Sequence, residues 1–102
     1  MYRAGTERAE EANLAALEQV ADRLELDSQA RSAARELYLS QLPAPDRSKP
    51  GLRAASLYAG SLIAGDQRSQ TVVAEAGDVS RLTIQQQWRE LLRDAGFEPP
   101  SW

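Results

Sequence analysis

The 102-residue chain contains no cysteine and no histidine, a single lysine at Lys49, one methionine and six aromatic residues. Without Cys or His there can be no disulfide, no thiolate chemistry, no zinc ribbon and no imidazole catalysis, and any metal would have to rely on oxygen ligands. The longest uncharged stretch, Ala54 to Gly65, is about half of what a membrane span requires and carries Ser, Tyr and Gly. The N-terminal MYRAGTERAEE offers no apolar signal-peptide core. A cytoplasmic protein with no membrane association is therefore expected. No run of alternating apolar and polar residues is long enough to make a convincing strand.

What is present fits a globular domain. Apolar residues make up 42% and charged residues 26% of the chain, far from the composition of disordered segments. The length suits one compact domain. The bases are almost all arginine, and the formal net charge is -3. High genomic GC content or adaptation to a salty cytoplasm would each give this balance.

Apolar spacing predicts five helices. The first carries Leu14, Leu17, Val20, Ala21 and Leu24 on one face, opposite Glu11, Glu18, Asp22 and Glu25. Asp27 and Ser28 are suitable caps for the second, which holds Ala30, Ala34, Leu37, Tyr38 and Leu42 and stops at Pro43-Ala44-Pro45. Ser48 is expected to cap the third, with Pro50 in its first turn and Gly65 at its C-terminal end. This helix, LRAASLYAGSLIAG, is small or apolar nearly all round, as befits a hub enclosed by its neighbours. The fourth runs from about Ser69 to Ala76, although Thr71, Val72 and Val73 also suit a strand. Gly77 and Asp78 turn the chain. Ser80 caps the fifth, whose core face is Ile84, Trp88, Leu91, Leu92 and Ala95. The predicted domain spans residues 13–96, with residues 1–12 an extension or the start of helix one, and a tail at 97–102 in which Phe97 or Trp102 can dock.

From Ser48 onward an ordered run of residues stands out, through Ser48, Gly51, Ala54, Ala55, Leu57 and Tyr58. It continues at Gly65, Arg68, Val73 and Ala74, and ends with Val79, Ser80, Ile84, Trp88, Arg89 and Leu91. In order and spacing this run resembles the cyclin-like repeat of the archaeal transcription factor B (eukaryotic TFIIB) family. The first half is similar more loosely, through Val20-Ala21, Leu24, Leu26 and Ala34-x-x-Leu37-Tyr38. The resemblance implies an all-α, five-helix cyclin-like domain with helix three central and a C-terminal helix-turn-helix made of helices four and five. It also implies a transcription-related role with promoter DNA or TATA-binding protein as partner. The resemblance implies that a full factor adds a zinc ribbon and a second repeat, so these 102 residues, with one repeat, are not expected to replace the general factor in initiation.

If Ile84, Trp88, Leu91 and Leu92 face the core, Leu82, Gln86, Arg89 and Arg93 lie outward, flanked by Arg81 and Gln85. Gln can bond adenine, Arg can bond guanine or phosphate, and Leu can meet a thymine methyl. Arg68 and Ser80 are positioned as phosphate contacts. The alternative for each is an ordinary solvated helix residue or, for Ser80, a plain cap; Arg89 could also pair with Glu90 or Asp94. Between residues 68 and 93, four arginines face three acids, a thin basic patch for a nucleic-acid domain. In about 1 M salt that objection weakens, because screening is then nearly complete.

Elsewhere the residues favour structure. Glu10 and Glu11 read as solvated charges on a polar face, Gly65 to Arg68 is too short for a phosphate loop, and Tyr38, Tyr58 and Trp88 have core spacing. No catalytic, metal, cofactor or small-molecule site is expected. The other function class is a protein-interaction module docking TATA-binding protein or polymerase, with Leu82, Phe97 and Trp102 as contacts.

Overall fold

The computed structural model describes residues 8–101. Five α-helices follow from Glu11 onward: α1 (Glu11–Leu24), α2 (Ser28–Ser40), α3 (Lys49–Ile63), α4 (Gln70–Gly77) and α5 (Arg81–Asp94), with a 3-10 turn at Asp46–Ser48 leading into α3. No strand occurs among the described residues, so the β-branched run Thr71–Val73 lies in a helix. Burial decides the matter there, since Val73 and Ala74 are enclosed while Thr71 and Val72 face outward at helical spacing.

The third helix is the hub. Every residue from Gly51 to Ser61 except Arg53 is buried, and α3 packs on each of the other four helices. Lack of bulk makes this possible: a Cβ on Gly60 would stand 2.7 Å from the backbone nitrogen of Ala34 and 2.9 Å from the carbonyl oxygen of Ala30. Only a glycine lets α2 and α3 cross so closely. Around this axle lie Leu17 and Ala21 of α1, Ala34 and Tyr38 of α2, and Ile84 and Trp88 of α5, all fully enclosed. Trp88 meets Tyr58 edge to face, ring centroids 5.4 Å apart.

Helix ends follow local chemistry. Asp27, Ser69 and Ser80 cap α2, α4 and α5 through side-chain oxygens that accept from the backbone N–H of Ala30, Val72 and Thr83. Ser48 does not do so for α3: its hydroxyl donates to the carbonyl of Pro45, because the 3-10 turn places it in helical rather than extended geometry. After α3, Gly65 (φ +72°) donates to Leu62 and Asp66 to Ser61, a Schellman ending. After α4 the left-handed position belongs to Asp78 (φ 56°) and not to its glycine neighbour. Gly77 instead closes the helix against the core, where a Cβ would meet that of Ala54 at 3.3 Å. Glu25 takes the same left-handed conformation after α1, at φ 55°.

Two further expectations at helix ends need correction. The second helix stops at Ser40, leaving Leu42 half-buried beyond it, and Ala95 is the exposed residue that follows α5 rather than part of its core face. In both cases the last predicted apolar residue falls where the chain has already turned. Trp102 lies outside the described residues, and Phe97 is 47% exposed.

Candidate nucleic-acid interface

Helices α4 and α5 are joined by the three residues Asp78, Val79 and Ser80, the connection length of a helix-turn-helix. The core face of α5 is Ile84, Trp88, Leu91 and Leu92. What remains outward forms two rows at i, i+4 spacing. Arg81, Gln85, Arg89 and Arg93 make one, with no acid in it. Leu82, Gln86, Glu90 and Asp94 make the other. All eight are exposed except Arg89, which is half-buried. Rows at this spacing run as ridges along a helix surface, so the outer side of α5 carries a basic ridge beside one that is apolar at its start and acidic at its end.

The members of the basic ridge are held differently. Arg81 and Gln85 are exposed. The guanidinium of Arg89 lies 4.7 Å above the Trp88 ring, a cation–π contact that fixes its direction. Glu90 takes Arg93, which approaches its carboxylate at 3.3 Å across to the neighbouring ridge. On that second ridge Leu82 is 59% exposed, and Asp94 accepts from the amide of Gln41 at 3.1 Å.

Ser80 is occupied as a cap, its oxygen also sharing a hydrogen bond with the Thr83 hydroxyl at 2.9 Å. Arg68 faces inward. Its Nε donates to the carbonyl of Leu24 and its NH2 to that of Glu25, so it caps the C-terminal end of α1. Its NH1 binds the Asp66 carboxylate at 2.7 Å. The other oxygen of Asp66 accepts from the backbone N–H of Asp27, the cap residue of α2. Hydrogen bonds from Arg68 and Asp27 outweigh desolvation and hold the Asp66 carboxyl below its ordinary pKa. The Gly-x-x-Arg segment is thus a clamp joining α1, α2 and the approach to α4.

Sequence reasoning missed a second polar junction. Glu10 is not a solvated charge: its side chain is 12% exposed. One oxygen accepts from Tyr38 at 2.6 Å and from Asn13 at 2.9 Å, and the other from Lys49 at 3.0 Å. Asn13 in turn accepts from Arg53 at 2.6 Å. Burial opposes the charge on Glu10, but the bonds from Tyr38, Lys49 and Asn13 prevail and its pKa is lowered; burial and the Glu10 bond push the Tyr38 phenol strongly upward. The chain's one lysine was the available signal, although its other partner, Asp46 at 3.1 Å, is local in sequence and Glu10 reaches it only through the fold. Glu11, next in sequence, is exposed as expected.

Among the described residues no group of three or more acids is gathered to hold a metal ion, and no helix is long and apolar enough to cross a membrane.

The model of the transcription factor TFIIB repeat family matches residues 7–94. Transcription initiation factor IIB of Pyrococcus horikoshii is 39% identical over 54 residues, covering 53% of this chain and 18% of that protein. The corresponding factor of Archaeoglobus fulgidus is 38% identical over 52 residues, 51% of this chain and 16% of its own length. Transcription initiation factor IIB 4 of Halobacterium salinarum is 37% identical over 79 residues, 74% of this chain and 24% of that protein. The chain therefore spans less than a quarter of the length of these curated relatives. With the family pattern, the five-helix cyclin-like fold and the central small-residue helix in agreement, the chain belongs to the transcription factor TFIIB repeat family.

Proposed function

We propose that this repeat is a non-enzymatic transcription-regulatory module that binds promoter duplex through the outer side of α5. The observation that carries this reading is the acid-free ridge Arg81, Gln85, Arg89 and Arg93 on the second helix of a helix–three-residue turn–helix unit. In such units the N-terminal part of the second helix meets base edges in the major groove. The first two turns of α5 expose Arg81, Leu82, Gln85 and Gln86, groups able to bond guanine, adenine or phosphate and to touch a thymine methyl. Arg89, held on Trp88, and Arg93, paired with Glu90, continue the ridge beyond those two turns. Arg68 and Ser80 position the unit, the first as the α1 clamp and the second as the α5 cap. With only a thin positive surface, binding is expected to be modest and strongly salt-dependent.

The test is a fluorescence anisotropy titration of promoter-like duplex between about 50 and 200 mM salt. Arg81→Ala should weaken binding to all duplexes and lower the salt slope by about one, whereas Gln86→Ala should relax discrimination at one base pair by roughly 5- to 100-fold. Titrations unchanged by both substitutions would remove the proposal.

Exposed Val72, Leu82 and Phe97 favour a second reading, a docking surface for TATA-binding protein or polymerase without DNA contact. It predicts retention of such a partner in the absence of DNA, lost on Leu82→Ala and indifferent to Arg81→Ala.

A further inference from the structure

We infer that Glu90 and Asp94 limit how deeply α5 enters a duplex and thereby act as specificity determinants; this rests on the DNA-binding reading above. A helix with its side chains is about 10–12 Å across and B-DNA's major groove about 12 Å wide, so a helix in the groove faces a phosphate strand on each flank. The flanks of α5 are unequal. The ridge through Arg81 and Arg93 presents positive charge on one flank. The ridge through Leu82 and Gln86 is neutral over its first two turns and then presents the Glu90 and Asp94 carboxylates.

Both carboxylates are positioned. Glu90 holds Arg93 at 3.3 Å, so it adds a negative charge to one flank while drawing a positive one from the other. Asp94 is hydrogen-bonded to Gln41 of the segment after α2. Together they line a shallow groove of about 240 Å³ between α5, Leu52 of α3 and Gln41. A phosphate strand approaching that side meets like charge, which disfavours close contact. The C-terminal half of α5 is consequently held out of the groove. Contact is confined to the first two turns, where Arg81 meets phosphate and Leu82, Gln85 and Gln86 meet bases. Phosphate contacts carry no sequence information, so suppressing them along the second half of the helix raises the share of binding that depends on sequence.

The experiment compares wild type with the double variant Glu90→Gln, Asp94→Asn on cognate and scrambled duplexes across a salt series, with circular dichroism to confirm folding. The double variant Glu11→Gln, Glu25→Gln, two exposed acids at the ends of α1, controls for the same change in net charge. The double variant should bind both duplexes about three- to tenfold more tightly at low salt, with a salt slope steeper by about one as Arg93 is freed. The ratio of cognate to scrambled affinity should fall, and the control should change none of these. If wild type binds and the double variant matches it in affinity, slope and ratio, the inference is overturned while the DNA-binding reading stands. If neither protein binds duplex, that reading fails and this one with it.

Discussion

The crossing of α2 and α3 and the outer side of α5 use opposite kinds of residue. At the crossing, side chains are nearly absent: Ala30, Ala34, Ala59 and Gly60 bring two backbones together, and all four are buried. On α5 the backbone is unremarkable and the side chains are long, polar and solvent-facing. Specificity of fold resides where atoms have nowhere to move. Specificity of recognition resides where they are free to meet something else. Arginine shows the same division within one residue type, since Arg68 is enclosed by carbonyls and a carboxylate whereas Arg81 is solvent-facing.

The largest effect should come from adding one carbon at the crossing. Gly60→Ala places a Cβ within 3 Å of α2 backbone atoms, which have no rotamer to escape into. Overpacking of this kind costs about 3 kcal/mol or more, to be measured as a lower urea midpoint at unchanged m-value. Near-wild-type stability would show that the two helices separate easily and would dissolve the contrast with α5. Next, Arg68→Ala leaves the last carbonyls of α1 and one oxygen of Asp66 without their donor. About 2 kcal/mol of stability should be lost, seen as a fall in Tm of roughly 10 °C, while the folded fraction keeps its affinity for duplex.

Much of this division could be read from the chain. The small-residue run Ala54 to Gly60 stands apart from its neighbours because no amphipathic surface helix needs so little bulk, and the outward set on α5 follows from the spacing of Ile84, Trp88, Leu91 and Leu92. Long-range polar pairing could not be read. Glu10 and Lys49 are 39 positions apart and meet only because α1 and the start of α3 flank Tyr38. Nor does a Gly-Asp pair reveal which member takes the left-handed position. Packing reserves Gly77 for the approach to Ala54 and leaves the strained conformation to Asp78.

The polar junctions give the contrast a pH dependence. Glu10 and Asp66 both have lowered pKa values in the fold, so their contribution is fully present above the ordinary values of 4.5 and 3.8 and is lost as pH falls through the folded values. Urea midpoints followed down to about pH 3 should decline steeply for wild type and less steeply for Glu10→Gln and Asp66→Asn, which begin from lower stability at neutral pH. Identical slopes would mean that these carboxylates are as solvated in the fold as in the unfolded chain. Tyr38 acts in the other direction: its raised pKa gives a contribution present below about pH 10 and lost as the phenol ionises at higher pH. A smaller gain is expected at the left-handed helix end, where Glu25→Gly relieves the positive φ and should add about 0.5–1 kcal/mol.

The smallest effect on stability sharpens the contrast most. Arg81 sits in the first turn of α5, exposed and distant from the core face, so Arg81→Ala should shift the urea midpoint by no more than about 0.5 kcal/mol equivalent. It should nevertheless remove a phosphate or base contact and weaken duplex binding by roughly tenfold. Paired with Arg68→Ala, which should do the reverse, it forms a double dissociation: one arginine whose loss destabilises the repeat without touching recognition, and one whose loss weakens recognition in an intact fold. Equal losses of stability in the two variants would place Arg81 in the framework. The ridge on α5 would then be a continuation of the helix's packing rather than its contact surface.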